Sequence, residues 1–553
     1  MNTNYSLHKF IVKAFGNVFC SIIVFHIFLL LTGCGNVENH KDKMVFRYNE
    51  DVSVTTLDPA FVKSQSEIWI VSQLFEGLVS LDNELHTKPC AAKTWNISNA
   101  GKTYTFHLRN DVVFHNDTEI NGGKSRKLCA KDFEYSFYRL INPSTASPGS
   151  WIFNDKINAP RDFKNIVLDS NRCFRAIDDS TFQINLIKPF PPLLSLLSMP
   201  YCFAVPIELA KEKSFRLNPV GTGPFKFKLW EENVKLILLK NENYYINDLP
   251  KLDAINIDFI QNKQLAFMNF VQGKYDFFNG LEGSYKDEVL QIDGDLQEKY
   301  KNQFSLEKEP FLNTEYIGFI LDAKGNEKLN EKLVRQALNY SIQKEKMINN
   351  LRNGIGTPAN GGFIPKGLPG NICGKGYSFD LQKAKNLLAQ ANYKGQEIIE
   401  INTTQDYLDM CLFIQTDWNK IGVKSKITVH PAGFLRQLRN KREIKVFRGS
   451  WIADYSDAEN YLSCFYSPNF SPAGPNYCHF KNEKFDSLYE QALLTTIESD
   501  KIALYEQMDD ILVEEAPILF LYYDYSIRLV NKNVKNLSNT PANQLLLKKV
   551  QLE

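Results

Sequence analysis

The sequence lacks an excess of charge of either sign. Its 553 residues include 64 Lys and Arg against 63 Asp and Glu, whereas proteins held to nucleic acid by charge usually have a clear basic excess. Histidine is scarce, at 8 residues, and no CxxC, HExxH or GxSxG motif occurs. These absences argue against nucleic-acid binding, and nothing in the pattern indicates a catalytic centre, a metal site or a cofactor.

Segments that resemble catalytic or nucleotide-binding motifs are incomplete. Gly122-Gly123-Lys124-Ser125 resembles the end of a phosphate-binding P-loop, but the first glycine of that motif is replaced by Thr118. Gly221-Thr222-Gly223-Pro224 lacks the third glycine of a dinucleotide fingerprint, and its proline removes an amide that would face a pyrophosphate. His107 and His115 lie in a strand-like region and are predicted to be surface residues of an edge strand.

What is present is a globular composition, with 44% hydrophobic and 23% charged residues. Alternation of apolar and polar residues predicts strands at 104–108 and 255–259. Apolar spacing of three and four predicts helices at 381–391 and 485–494. The length suggests more than one domain, so a mixed α and β protein with more than one lobe is expected.

The N-terminus has the features of an export signal. Residues 1–33 open weakly basic and contain the apolar run Val18–Thr32, which is short for a membrane span. The run ends in Leu31-Thr32-Gly33-Cys34, which resembles the lipobox of bacterial lipoproteins. That resemblance implies cleavage before Cys34, lipid on its sulfur, and a polar tether over residues 34–43. An ordinary transmembrane anchor is the alternative.

Eight cysteines remain outside the signal and the predicted lipid site. Their spacing fits no zinc motif. Up to four disulfides and eight small buried apolar residues are both compatible with the spacing. The eight are Cys90, Cys129, Cys173, Cys202, Cys373, Cys411, Cys464 and Cys478.

A series of short patterns runs in order along the chain. In chain order they are Thr56-Leu57-Asp58-Pro59, Leu74-Phe75-Glu76-Gly77-Leu78, Ala92-Lys93-Thr94-Trp95, Tyr104-Thr105-Phe106-His107-Leu108-Arg109, Ala130-Lys131-Asp132-Phe133, Gly221-Thr222-Gly223-Pro224-Phe225, Val334-Arg335-Gln336-Ala337-Leu338, Ile364-Pro365-Lys366-Gly367, Ala384-Lys385-Asn386-Leu387-Leu388 and Trp451-Ile452-Ala453-Asp454-Tyr455. From about Met44 to Val530 the chain resembles the extracytoplasmic oligopeptide- and dipeptide-binding proteins of ABC importers.

The resemblance implies an α/β (mixed α+β) clamp of two lobes with a discontinuous first lobe, an extra N-terminal subdomain and a two-segment hinge. Placed on this chain, lobe I covers 44–75, 205–305 and 516–553. The subdomain covers 76–204, and lobe II covers 306–515. Ligand is expected between the lobes, and the closed form is expected to dock on a membrane permease driven by separate ATPase subunits.

Peptide chemistry defines what such a site needs. A free peptide is a zwitterion whose backbone can be added to a sheet as an extra strand. After closure its amine needs a carboxylate and its carboxylate needs a cation, because an unpaired buried charge costs several kcal/mol. Side-chain pockets that hold water would adapt to different residues.

The resemblance places the amine-binding carboxylate at Asp454, and the flanking Trp451 and Tyr455 suggest burial. Asp457 and Glu459 nearby are predicted to be surface acids. A surface position is the alternative for Asp454 too, since Asp is common in exposed loops.

The remaining site residues come from the same comparison with the family. Arg448 matches a family position whose cation takes the carboxylate of a short peptide. Arg439 matches a second cationic position less specifically. For both residues, the alternative is a solvated arginine in a basic run. Main-chain partners of the ligand are expected at Ser450, Trp451, Ile452 and Ala453, with Trp451 either a pocket wall or part of the lobe core.

Several positions depart from the family pattern. Lys63 replaces an acidic residue and would favour an acidic ligand if it faces the cleft. Where the family has a tyrosine, this chain has Gly149, with Trp151 two residues later. Tyr407 aligns roughly with a histidine that serves longer peptides in some members of the family. These departures bear on ligand length and charge.

The sequence therefore predicts a lipid-anchored, monomeric receptor of the periplasm or cell envelope that captures short peptides for an ABC importer. The alternative keeps the fold and changes the ligand to glutathione, another modified peptide, a nickel chelate or haem. A secreted hydrolase would need a nucleophile with its base or a set of metal ligands, and the sequence shows no such pattern. An adhesin would need an exposed apolar or repetitive face in place of a cleft that closes.

Overall fold

The structure is a computed structural model, and it describes residues 43–117, 123, 125–160, 163, 172–281, 286–323, 325, 327–395 and 397–553. The predicted signal peptide, Cys34 and nearly all of the predicted tether lie outside the described residues. No helix within these ranges is long and apolar enough to cross a membrane.

The strands follow one another in short runs in the first half of the described chain and alternate with helices from about residue 254 to residue 452. The strands are β1 (Val45–Asn49), β2 (Val79–Leu81), β3 (Thr87–Pro89), β4 (Ala92–Ser98), β5 (Thr103–Leu108), β6 (Phe174–Asp178), β7 (Thr181–Asn185), β8 (Phe225–Glu231), β9 (Lys235–Lys240), β10 (Ala254–Asp258), β11 (Phe277–Asn279), β12 (Phe304–Phe319), β13 (Thr357–Pro358), β14 (Ile398–Thr403), β15 (Lys424–Val429), β16 (Val446–Ile452), β17 (Ile518–Asn531), β18 (Val534–Lys535) and β19 (Gln551–Leu552).

The helices are concentrated in the second half of the chain. They are α1 (Gln65–Leu74), α2 (Ala130–Ile141), α3 (Leu193–Leu197), α4 (Lys263–Val271), α5 (Lys286–Val289), α6 (Glu327–Asn330), α7 (Lys332–Tyr340), α8 (Lys344–Arg352), α9 (Leu381–Gln390), α10 (Leu408–Lys420), α11 (Ala432–Asn440), α12 (Glu459–Leu462), α13 (Glu483–Leu494) and α14 (Glu498–Glu515). The strands and helices predicted from the apolar spacing are confirmed as β5, β10, α9 and α13.

One 11-stranded sheet passes through both lobes. Its order is β15-β14-β16-β12-β17-β11-β1-β10-β9-β8, and β13 pairs with β17 off this path. The long strands β12 and β17 pair antiparallel from Phe304 opposite Asn531 to Gly318 opposite Ile518. They are the two crossing segments of the hinge, so the predicted mixed α/β clamp with a two-segment hinge is confirmed.

The hinge strands are irregular where they leave lobe I. The register of β12 against β17 shifts between Pro310 and Thr314, and a proline has no backbone N–H to donate to the ladder. Phe304 at the start of β12 packs in the lobe I core, whereas Tyr316 and Ile317 pack in two separate cores of lobe II. Strand β12 thus runs across the expected boundary between lobe I, which ends at 305, and lobe II, which begins at 306. The exact limits of the domains stay a prediction.

The extra subdomain is built around an antiparallel sheet, β4-β5-β7-β6. Helix α2 packs on it through Phe137, whose ring centroid lies 5.3 Å from the rings of Phe174 and Phe182. Arg139 near the end of α2 is ion-paired with Asp58 of the Leu-Asp-Pro turn in lobe I. Both side chains are nearly buried, so this pair fixes the subdomain against lobe I.

The prediction for His115 is wrong, and that for His107 is confirmed only in part: His107 is exposed, but β5 lies between β4 and β7 and is not an edge strand. His115 is buried; it accepts from Gly221 N–H at 3.2 Å, and its other ring nitrogen lies 3.0 Å from Gly223 O. Burial lowers its pKa to about 4, so the ring stays neutral near pH 7. A Cβ on Gly221 would lie 2.0 Å from Leu74 O, which explains the glycine.

The eight cysteines of the described ranges form no disulfide with one another. Six are buried, Cys129 is half-buried and Cys373 is exposed. The spacing left open disulfides or small buried apolar residues. Six of these eight side chains fit the second alternative.

A buried glutamate should make stability depend on pH. Glu50 follows β1 and is 6% exposed; Ser66 Oγ donates to one carboxylate oxygen at 2.5 Å, and the other oxygen has no hydrogen-bond partner among the described residues. Burial is the main cause that raises its pKa from 4.5 to about 8, opposed by the Ser66 bond and assisted by Asp51. The folded protein therefore holds a proton that the unfolded chain releases, and stability falls as pH rises from 4.5 to 8.

We expect Glu50→Gln to be more stable than the wild type at pH 9 by on the order of 5 kcal/mol, because the pKa rises from 4.5 to about 8 and each pKa unit corresponds to about 1.4 kcal/mol. Near pH 4.5 the two should differ by less than about 1 kcal/mol, since the wild-type carboxyl is then neutral. Unfolding in urea across this pH range measures the difference, with the exposed Glu232→Gln as control. Parallel pH profiles for wild type and Glu50→Gln would contradict the prediction.

Candidate functional site

Strand β16 offers an open edge at its C-terminal end. Strand β14 pairs with β16 only at Val446 and Phe447, while β12 pairs with its other edge as far as Ile452. Ala453 N–H donates to Leu312 O of the β12 side at 3.0 Å. Because backbone groups alternate along a strand, the amides and carbonyls of Ser450 and Ile452 face the open edge.

Asp454 follows directly after this edge. Its residue surface is open to water, yet burial raises the pKa of its carboxyl group, opposed by a hydrogen bond from Asn460. A group that water reaches but that protein surrounds on most sides lies in a cleft. No cation of the described part of the chain forms an ion pair with Asp454, so its charge is uncompensated.

Asn460 positions this end of the site. Its side-chain oxygen accepts from the indole Nε1 of Trp451 at 3.0 Å and from the backbone N–H of Asp454 at 3.1 Å. Trp451 packs partly buried against the lobe II core, so the structure favours the core over an open pocket wall. Ile452, on the other face of β16, is 53% exposed.

The subdomain contacts lobe II beside Asp454. The rings of Trp151 and Tyr455 stack with centroids 6.2 Å apart, and Ser195 Oγ donates to Ser456 O at 3.1 Å. The Trp151 position, which departs from the family pattern, therefore lies next to the predicted amine-binding residue.

The prediction of Asp457 and Glu459 as surface acids is wrong. Glu459 is buried and accepts hydrogen bonds from the hydroxyls of Tyr455 and Tyr489. Burial raises its pKa, and these two hydrogen bonds oppose the rise. Asp457 is ion-paired with Lys501 at 3.2 Å. Both acids hold the loop that carries Asp454 and are not free to bind a ligand.

Arg448 lies on the same face of β16 as Ser450 and Ile452. Its guanidinium is ion-paired with Glu315 of β12, and its Cζ lies 3.0 Å from the centroid of the Tyr407 ring. Burial raises the pKa of the Tyr407 hydroxyl, while Arg448 opposes the rise. The structure thus brings Arg448 and Tyr407 together, and it adds Glu315, which the sequence did not single out.

Arg439 is placed elsewhere. Its Cζ lies 3.5 Å from the ring centroid of Tyr477 and 5.4 Å from that of Phe447. Phe447 and Arg448 are adjacent in β16 and so point to opposite faces of the sheet. The structure therefore does not bring Arg439 to the face that carries Arg448.

Lys63 is exposed in lobe I. The Tyr201 hydroxyl donates to the backbone carbonyl of Val62, the residue before Lys63, at 2.7 Å. Burial raises the pKa of Tyr201, and the charge of Asp454 adds to the rise. The Lys63 segment and Asp454 thus both lie near the Tyr201 hydroxyl. Lys63 also lines a cavity of about 1130 Å³ whose walls come from lobe I and the subdomain alone. That cavity does not contain Asp454.

The described ranges contain no group of three or more His, Cys, Asp and Glu side chains arranged to hold a metal ion.

Residues 86–472 match the family described as bacterial extracellular solute-binding proteins, family 5 Middle. The chain belongs to this family. It is a family 5 solute-binding protein of ABC importers, and its similar proteins are binding proteins rather than enzymes.

Curated relatives of this family 5 protein match nearly end to end. The probable deoxycholate-binding periplasmic protein YgiS of Escherichia coli (strain K12) is 28% identical, over 89% of this chain and 90% of its own. The dipeptide-binding protein of the same organism is 26% identical, over 84% and 86%. The structure of the ABC transporter-associated periplasmic binding protein DppA from Helicobacter pylori, in complex with the peptide STSA, is 26% identical with a TM-score of 0.69, covering 93% of this chain and 99% of its own.

Proposed function

We propose that this protein captures short peptides with a free α-amine between its two lobes and delivers them to a membrane permease. The observation that carries the proposal is the uncompensated carboxylate of Asp454 at the end of the open edge of β16. A peptide added at Ser450 and Ile452 would gain main-chain hydrogen bonds without side-chain selectivity. Its amine would then neutralise Asp454.

The proposal includes the cellular setting. Lipid on Cys34 would hold the protein, as a monomer, at a membrane of the cell envelope beside its permease and ATPase subunits. The names of the dipeptide-binding relative and of the peptide-bound DppA structure support a peptide ligand.

A specialised ligand is the second candidate. The relative named for deoxycholate favours it, since bile acids carry no α-amine and would not use Asp454 as an amine anchor. Glutathione, other modified peptides, nickel chelates and haem belong to the same alternative.

Native mass spectrometry of the protein purified without denaturation tests the proposal. A ladder of adducts in the mass range of short peptides is the expected result, released when the same sample is denatured in acid. A single sharp adduct of another mass would contradict a broad peptide receptor and identify the specialised ligand.

Lys63 should influence the charge preference of the ligand. We expect Lys63→Glu to weaken acidic tripeptides about tenfold relative to basic ones, since it replaces an attractive charge with a repulsive one near the cleft. Calorimetric titration with peptides that differ only in the central residue measures the ranking. The exposed Lys93→Glu, in the subdomain sheet, is the control, and an unchanged ranking in Lys63→Glu would remove Lys63 from the site.

A further inference from the structure

Glu315 and Arg448 form a buried ion pair inside the proposed site. They lie on the facing strands β12 and β16, with Glu315 directly opposite Ser450 and Ile317 opposite Arg448. Their side chains are only 3% and 12% exposed. A charge pair this deep is held tightly, because separating it would leave both charges without a partner and without water.

The second carboxylate oxygen of Glu315 is also occupied. Asn313 Nδ2 donates to Glu315 Oε1 at 3.0 Å, and Ser450 Oγ donates to Asn313 Oδ1 at 3.0 Å. Ser450 belongs to the open edge of β16. The network that orients Glu315 therefore runs up to the edge at which a ligand backbone would bind.

A second ion pair keeps the neighbouring charges balanced. Arg352 is ion-paired with Asp524, and its Cζ lies 4.8 Å from the ring centroid of Tyr522. Two arginines in this part of lobe II thus match two carboxylates. Asp454 at the other end of the edge has no such partner among the described residues.

We propose that Glu315 is a specificity-determining residue: it serves as the internal counter-ion of Arg448, so the site does not use Arg448 to bind the terminal carboxylate of a short peptide. The inference rests on the proposed function, and it narrows the ligand class. Ligands with a free amine and no carboxylate near Arg448 fit best, such as chains that extend past this point or have a blocked C-terminus.

The physical reason is repulsion between like charges. A ligand carboxylate that reached Arg448 would lie beside the Glu315 carboxylate, where exposure to water is low and screening is weak. One guanidinium would then have to balance two anions. Replacing Glu315 with glutamine keeps the shape and the oxygen that accepts from Asn313, and it frees the charge of Arg448 for the ligand.

Titration of the full-length protein with alanine peptides of two to five residues tests this. Each peptide is used as the free acid and as the C-terminal amide, with wild type and Glu315→Gln. The wild type should bind the two forms within about threefold of each other. Glu315→Gln should prefer the free acid of at least one length by about tenfold or more, a difference that corresponds to 1.4 kcal/mol. Glu400→Gln, which removes a lobe II acid paired with Lys426, is the control and should leave the ratio unchanged.

N-acetylated peptides in the same titration separate the two proposals. Suppose that acetylation removes binding, but the ratio of the affinities for the free acid and the amide is the same in Glu315→Gln and in the wild type. The role of Glu315 is then overturned and the peptide function stands. A wild-type preference for free acids above tenfold overturns the role of Glu315 as well. If free-amine and acetylated peptides bind equally, the proposed function fails independently of Glu315. Thermal unfolding confirms that each variant is folded before its ratio is interpreted.

Discussion

Replacing Asp454 with asparagine is expected to weaken the binding of free-amine peptides by about a hundredfold or more. The ligand ammonium would be desolvated on closure and left without a counter-charge, and removing one partner of a buried charge pair costs several kcal/mol. The same substitution should leave binding of N-acetylated peptides within about threefold. Calorimetric titration of both peptide forms measures the contrast.

A matched control lies three residues further along the same loop. Asp457→Asn removes the same charge from a residue that is ion-paired with Lys501 and hydrogen-bonded by Tyr505. It should lower stability and change peptide affinity only a few-fold. Comparable losses of affinity in the two variants would mean that loop integrity, and not an amine contact, explains the effect of Asp454.

Asp58→Asn should destabilise the protein by about 3–5 kcal/mol, because it leaves the nearly buried Arg139 without its carboxylate. Asparagine keeps the acceptor that caps the turn at Ala60 N, so the change isolates the lost charge. Urea unfolding of the ligand-free protein, followed by tryptophan fluorescence, measures it.

The exposed pair of Lys301 and Glu298 provides the comparison. Glu298→Gln should cost less than about 1 kcal/mol, since water already solvates both partners. Equal effects for Asp58→Asn and Glu298→Gln would argue that the subdomain is fixed to lobe I by packing alone.

The short patterns along the chain predicted the fold well, and at least two of them contain residues that hold distant parts of the backbone together. Arg335 donates to carbonyls at Glu515 and Ala516, where α14 leads into β17. Gly221 lies against the end of α1 where a side chain does not fit. In these two patterns a local helix or turn signal is visible in the sequence, whereas the long-range contact that fixes it is not.

The site could be predicted only in part. Asp454 follows from a local pattern, but its neighbours Asp457 and Glu459 look equally exposed in the sequence. Their partners come later in the chain, 30 residues on for Tyr489 and 48 for Tyr505. Glu315 lies 133 residues before Arg448. Only the pairing of β12 with β16 brings those two side chains together, and the register of that pairing has no local signal.

The strand that carries Glu315 is also a strand of the hinge. Asn313 and Glu315 lie at or just after the irregular stretch of β12 between Pro310 and Thr314, so the hydrogen-bond network around Glu315 starts at the irregular part of the hinge strand. Given the role proposed for Glu315, a substitution there is expected to change both the ligand preference and the equilibrium between the open and closed clamp. On this proposal, ligand preference and lobe closure are linked, so a mutation that alters one is expected to alter the other.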